Sequence, residues 1–186
     1  MKKEQIILGI DPGTSVTGYG LIHTQGTQMK LIKLGVIKMG KTDDHPMKLK
    51  KIFEGVLDII EEHKPDFVAV EAPFFGKNVQ SMLKLGRAQG VSMAAALYRN
   101  IPIVEYSPKK IKQSITGNGN ASKEQVSAML KKLLLFKEES AYLDATDGLA
   151  AAVCHFLQKD LGDSGDKKHT GWKAFLTDNP GKVIKP

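Results

Sequence analysis

The sequence predicts an α/β fold: a mixed five-stranded sheet flanked by helices. Three observations predict it. Two short apolar runs each end in a carboxylate, Ile6-Ile-Leu-Gly-Ile-Asp11 and Asp66-Phe-Val-Ala-Val-Glu71. Runs this short and apolar are what strands buried on both faces look like. A helical stripe lies between them, and a strand, helix, strand crossover sets its two strands parallel on a shared sheet. Ahead of the crossover, the first 40 residues read as a three-stranded meander.

The first strand, Ile6 to Asp11, breaks at Pro12-Gly13. The turn Pro12 to Val16 leads into Thr17 to Ile22, the expected antiparallel partner. A second turn at Gln25-Gly26-Thr27 leads into Met29 to Met39, with apolar residues at 29, 31, 32, 34, 36, 37 and 39. Asp43 or Asp44 can cap the next helix, with Pro46 in its first turn. Leu49, Ile52, Phe53, Val56, Leu57 and Ile60 form its apolar stripe, and Pro65 stops it. Ala72 to Gly76 is a loop after the strand ending at Glu71. Lys77 to Arg99 contains no proline and mostly good helix formers, so it reads as a long helix. Gly86 and Gly90 within it cost roughly 1 kcal/mol each against Ala, which a close helix contact such as a dimer seam would explain. Pro102 to Tyr106 is the fifth strand. Pro108 starts a short helix through Ile115, and Thr116 to Ala121 is a flexible loop. Ser122 caps a helix running to about Phe136, with Gln125 completing a Ser-x-x-Gln capping box. Tyr142 to Leu157 is the last helix. From residue 159 the composition turns to Gly, Asp and Ser, and periodicity weakens. The expected organisation is one domain over 1–158 and a mobile or loosely docked tail over 159–186.

A chain of 186 residues suffices for one domain with a full core. One cysteine excludes an internal disulfide and makes a reducing cytoplasm the expected location. The five histidines lack metal-ligand spacing, which argues against zinc. The apolar stretch before Asp11 is too short for a signal-peptide core, and no run approaches the ~18 residues of a membrane span. The net charge of +7 is concentrated: Lys77 to Lys137 holds eleven Lys or Arg against Glu105 and Glu124. Such a basic middle is the footprint of a polyanion partner, although merely solvated helix faces would also carry it.

Asp11 and Glu71 fall at the carboxyl ends of neighbouring parallel strands, the edge where open α/β sheets build their sites. Asp144 and Asp147 are three residues apart and share a helix face. Their neighbours Leu143, Ala145, Leu149, Ala150 and Ala151 belong to a core. Either one acid serves the helix dipole while the other is exposed, or both face a cation. If this helix packs beside the sheet edge, four carboxylates converge. Oxygen-only ligands of this kind suit Mg²⁺ or Mn²⁺, and four unpaired acids cannot share a dry site without a cation. Asn78, Lys84 and Arg87 on the long helix are candidate phosphate contacts. Cys154 and His155 read as packing or surface residues.

Three stretches carry a resemblance. Gly9-Ile-Asp11-Pro-Gly-Thr-Ser-Val-Thr-Gly-Tyr-Gly20 resembles the first motif of the RuvC crossover junction endodeoxyribonucleases. Val70-Glu71-Ala-Pro-Phe74-Phe-Gly-Lys-Asn78 is similar to their second, and Asp144-Ala-Thr-Asp147-Gly-Leu-Ala150 to their third. Order and spacing agree over roughly residues 5 to 158. The resemblance implies a ribonuclease H-like fold and a homodimer. It implies paired symmetric nicks in four-way (Holliday) DNA junctions, leaving 5′-phosphate and 3′-hydroxyl ends. Asp11, Glu71, Asp144 and Asp147 become metal-binding catalytic acids, holding two Mg²⁺ roughly 4 Å apart, with Mn²⁺ able to substitute. Lys112 and Lys123 match lysines near the scissile phosphate. Phe74 matches an aromatic that stacks on a junction base, with Phe75 beside it. Lys77, Asn78, Lys84, Arg87, Lys109 and Lys110 are the expected DNA contacts, and the RuvA–RuvB branch-migration complex is the expected partner. Relatives vary at position 144. Gly148 stands where Ala is expected, a departure that should weaken the helix locally.

Three other readings compete. Gly9 to Thr14 also resembles the first phosphate loop of sugar-kinase and Hsp70-like ATPases, but that fold needs two such domains. A RuvC-like nuclease for RNA or another branched substrate would carry the same acids. A non-catalytic junction binder would not need all four.

Overall fold

The computed structural model describes residues 4–73, 78–136 and 143–163. The meander is β1 (Glu4–Asp11), β2 (Val16–Gln25) and β3 (Gln28–Lys38), all antiparallel. β4 (Phe67–Glu71) runs parallel to β1, and β5 (Ile103–Tyr106) runs parallel to β4. The sheet order is β3-β2-β1-β4-β5, the mixed five-stranded sheet expected. Ile10 pairs with Val70, so the acids that follow them end adjacent strands at the same level.

The two-residue period of a strand decides which way those acids point. Leu8, Ile10, Val68 and Val70 bury into the core under α1 (His45–His63) and α2 (Val79–Tyr98). Ile7 and Ala69 face the opposite core, under α3 (Pro108–Thr116), α4 (Lys123–Leu134) and α5 (Leu143–Asp163). Asp11 and Glu71 continue the second set, so both acids point to the side covered by α3, α4 and α5. Both faces are covered, which is why the central strands read as continuous apolar runs.

Local chemistry fixes the ends. Asp44 caps α1, accepting from the Met47 amide at 2.9 Å. Asp43 instead accepts from the Gly40 amide and pairs with Lys51 at 2.7 Å. Ser122 and Gln125 form the expected capping box: the Ser122 amide donates to Gln125 Oε1 at 2.9 Å, and the Gln125 amide donates to Ser122 Oγ at 3.3 Å. The turn after Asp11 is clamped by Thr17, whose hydroxyl donates to the Gly13 carbonyl at 3.2 Å and accepts from its amide at 3.3 Å.

Two expectations change, for Gly148 and for the end of α5, and the one for Gly86 and Gly90 narrows to a contact outside this chain. Gly148 is not a weak point in α5: a Cβ there would lie 2.5 Å from Tyr19 Cα and 2.6 Å from Gly18 O. With Gly9, Gly18 and Gly20 on the strands, it lets α5 press backbone to backbone on β1 and β2. Gly86 and Gly90 make no close contact within the described chain, since a Cβ at either would meet nothing within 4 Å. α5 continues to Asp163 rather than ending at Leu157. Tyr142 and residues 164–186 lie outside the described residues. Among those described, no helix is long and apolar enough to cross a membrane.

Candidate active site

Three elements deliver the site. β1 and β4 present Asp11 and Glu71 at the sheet edge, and the first turns of α5 bring Asp144 and Asp147 over it. α4 begins with Lys123, and α3 carries Lys112. Asp11, Glu71, Asp147, Lys112 and Lys123 line one small cavity of about 70 Å³, with Ile111 and Val126 as apolar walls. The Lys123 ammonium donates to Asp147 Oδ2 and lies 3.8 Å from Asp144 Oδ1. The two helix acids are not equivalent. Asp147 is 13% exposed, whereas Asp144 is 49% exposed and stands at the rim. A three-residue step rotates a helix by about 300°, so the two side chains diverge by roughly 60°. Three acids therefore share the cavity, with the fourth beside it.

Burial, then mutual repulsion, dominates their electrostatics. Burial, then the nearby Asp147, pushes the Asp11 carboxyl up to about 7. Burial, then Asp11 and Asp147, pushes Glu71 up to about 8. Burial also raises Asp147, against the pull of Lys123. Burial alone would lower Lys123, but the hydrogen bond to Asp147 and the fields of Asp147, Asp11 and Asp144 outweigh it and hold the ammonium firmly charged.

These donors suit a hard divalent cation: oxygen only, from three separate elements, with two of the carboxyls raised by burial and by their acidic neighbours. Among the described residues, no three acid, His or Cys side chains are placed to hold an ion together. The cation in the cluster is the Lys123 ammonium.

A second cavity, about 120 Å³, lies against the same two strand acids, with Pro12, Pro73, Leu85 and Gln89. Gln89 was not anticipated from the sequence. It is buried and donates to Glu105 Oε2 at 2.6 Å. Its only sequence signal is its place with Ala88, Ser92, Ala95 and Ala96 on the buried side of α2.

The other expected residues divide. Lys84 and Arg87 are exposed on α2, and Lys109 and Lys110 on α3. The Asn78 side chain caps α2, accepting from the Ser81 amide at 3.1 Å. Phe74, Phe75 and Lys77 lie outside the described residues. Cys154 and His155 are packing residues: Cys154 Sγ lies 3.2 Å from Ser114 Oγ, and His155 Nδ1 lies 2.9 Å from Tyr106 Oη.

A meander followed by two parallel strands, with helices on both faces and acids ending the central parallel pair, is a ribonuclease H-like α/β fold. Comparison with known proteins takes this further. Residues 7–155 match the family model described as crossover junction endodeoxyribonuclease RuvC. RuvC of Cytophaga hutchinsonii is 60% identical over 182 residues, covering 97% of this chain and 88% of that protein. RuvC of Porphyromonas gingivalis is 57% identical, covering 97% and 98%. The solved structure of T. thermophilus RuvC in complex with a Holliday junction substrate has a TM-score of 0.79 at 30% identity, covering 85% of this chain and 96% of that one. The chain belongs to the RuvC family of crossover junction endodeoxyribonucleases. Membership implies use of a divalent metal ion.

Proposed function

We propose that this protein resolves four-way (Holliday) DNA junctions in recombination and repair, by paired symmetric nicks that leave 5′-phosphate and 3′-hydroxyl ends. The observation that carries this reading is the cavity shared by Asp11, Glu71 and Asp147, with Lys112 and Lys123 on its walls. Asp11, Glu71 and Asp147, with Asp144 at the rim, would hold Mg²⁺, two per site, with Mn²⁺ able to substitute. When bound, the metal supplies an activated water and stabilises the leaving oxygen. The protein's own groups do the rest. Asp11 and Glu71, ending adjacent strands, would be the metal's ligands in their ionised form. Lys112 and Lys123 meet charge developing on the phosphoryl oxygens. Lys77, Asn78, Lys84, Arg87, Lys109 and Lys110 follow the DNA backbone, where contacts position without reading sequence. Phe74 and Phe75, just after Glu71, stack on bases opened at the crossover.

Two coordinated nicks require two sites, so we propose a homodimer. α2 supports it. Val79, Leu83, Ala94 and Leu97 are exposed on the face that also carries Gly86 and Gly90, whose surroundings are open. An apolar helix stripe with small residues at its centre fits a second copy of itself. The nuclease domain would end near the close of α5, with the C-terminal residues as a tail outside it. The enzyme would act in the cytoplasm with the RuvA–RuvB complex.

The test is cleavage of a synthetic four-way junction in Mg²⁺, beside linear duplex and RNA. Symmetric paired nicks in the junction alone are expected. Asp11→Asn should bind the junction and cut it at least roughly a thousandfold more slowly, since a metal ligand contributes several kcal/mol to the transition state. Equal cutting of linear duplex or RNA, or near-normal cleavage by Asp11→Asn, overturns the proposal.

A further inference from the structure

Lys123 is in an unusual place for a lysine. It is the first residue of α4, the positive end of the helix, where acids are favoured and cations are not. Its backbone is fixed there by the Ser122–Gln125 capping box. What compensates is the acid cluster across the cleft. The ammonium donates to Asp147 and lies 3.8 Å from Asp144. Asp11 also feels its charge, as does Glu71. Lys112 lines the same cavity, yet among the described residues no ion pair joins it to an acid. Lys123 is in direct contact with the acids, whereas Lys112 acts on Glu71 and Asp147 only through its field.

A carboxylate oxygen that ligates a divalent ion cannot keep a close ammonium, because the two cations repel at contact distance. We propose that Lys123 is the resident counter-ion of the acid cluster. It is a tethered cation that holds Asp147 and Asp144 while the site lacks metal, and a divalent ion must displace it to bind. This inference rests on the assignment of these acids as metal ligands. The displaced ammonium, still anchored at the start of α4, is then free for a substrate phosphate. A phosphate that draws Lys123 out of the cluster therefore raises metal affinity, and metal raises affinity for the phosphate by the same factor. The tether discourages metal loading in the free protein and favours it on DNA. Lys123 is in this respect a positioning residue for the metal, in addition to its contact with the phosphate.

The experiment is Mn²⁺ titration of the DNA-free protein by calorimetry, for wild type, Lys123→Met, Lys123→Arg and Lys112→Met. Lys123→Met should bind Mn²⁺ about five- to tenfold more tightly, the scale of one partly exposed ion pair. Lys123→Arg should stay near wild type, and Lys112→Met should change affinity by about twofold or less, because it lacks the ion pair. A damaged fold would loosen binding, so tightening is not a structural artefact. Equal or weaker binding by Lys123→Met overturns the inference, as does an equal gain from Lys112→Met, which would mean a diffuse field and no specific occupant. The wild-type protein gives an independent measure: acetylation of Lys123 by an amine reagent should accelerate when Mn²⁺ is added, and an unchanged rate overturns the inference. If Mn²⁺ binds neither wild type nor Lys123→Met, the metal-site assignment itself fails and takes this inference with it.

Discussion

Asp11→Asn should make the metal-free protein more stable. The Asp11 carboxyl is raised from 3.8 to about 7, first by burial and then by Asp147. Between those values the folded protein keeps a proton that the unfolded chain has released. Stability therefore falls as pH rises from about 4 to about 7, and the loss is complete above 7. A shift of roughly three pH units corresponds to an upper bound of ~4 kcal/mol. Part of it is repulsion shared with Asp147, so removing one charge should recover about 2–3 kcal/mol. For a chain of this size that is roughly 5–10 °C in Tm. The assay is thermal unfolding in EDTA at pH 5 and pH 8. At pH 5 the carboxyl is protonated in the fold but already largely ionised in the unfolded chain, so about a third of the loss is present and the variant should melt only slightly higher. At pH 8 the variant should melt higher. It should retain a shallower pH slope from Glu71, which is raised to about 8. Adding Mg²⁺ at pH 8 should stabilise wild type and close most of the gap. A variant less stable than wild type at pH 8, or a wild type insensitive to pH between 5 and 8, would refute the picture of an acid cluster dominated by burial and repulsion.

Three further substitutions test the frame around the site. Gly148→Ala gains helix propensity of roughly 1 kcal/mol, but its methyl would lie 2.5 Å from Tyr19 Cα. Overpacking should prevail, giving a net loss of about 1–2 kcal/mol by urea unfolding, and net stabilisation would contradict the seam between α5 and the sheet. Ser122→Ala removes an N-cap and half of a capping box, so a loss of about 1 kcal/mol is expected in the same assay. An unchanged midpoint would show that the box contributes nothing. Leu83→Glu places a charge on the exposed apolar face of α2 and, with the proposed homodimer seated there, should shift sedimentation to the monomer and abolish the proposed paired nicks while sparing the monomer's melting profile. A variant that remains dimeric would move the interface elsewhere.

The sheet and its acids were legible because strand chemistry is local. Ile6 to Asp11 and Phe67 to Glu71 are apolar until their last residue, and a charge ending a buried strand marks the sheet edge. Ser122 and Gln125 were legible for the same reason, since a capping box is written in four consecutive residues. What was not legible lies far apart in the chain. Gly148 looked like a flaw because helix propensity is local, whereas the atoms that require it belong to Gly18 and Tyr19 on β2. Gln89 looked like an ordinary helix former because its partner Glu105 sits on β5. The spacing of Asp144 and Asp147 announced a shared face, but only the packing of α5 could show that one enters the cavity and the other stays at its rim.

Fold and chemistry meet in that packing. The glycines at 9, 18, 20 and 148 let α5 approach closely enough that Cβ atoms at these positions would collide with backbone. The same closeness brings Asp147 to the level of Asp11 and Glu71 and strips water from all three. Burial, the first cause of each raised carboxyl, is thus a consequence of missing side chains. An α5 held further off would leave the acids wetter, with ordinary acidity and little hold on a cation. The absent methyl groups and the present carboxylates are parts of one device, in which a helix is pressed onto a sheet closely enough to bury three acids together.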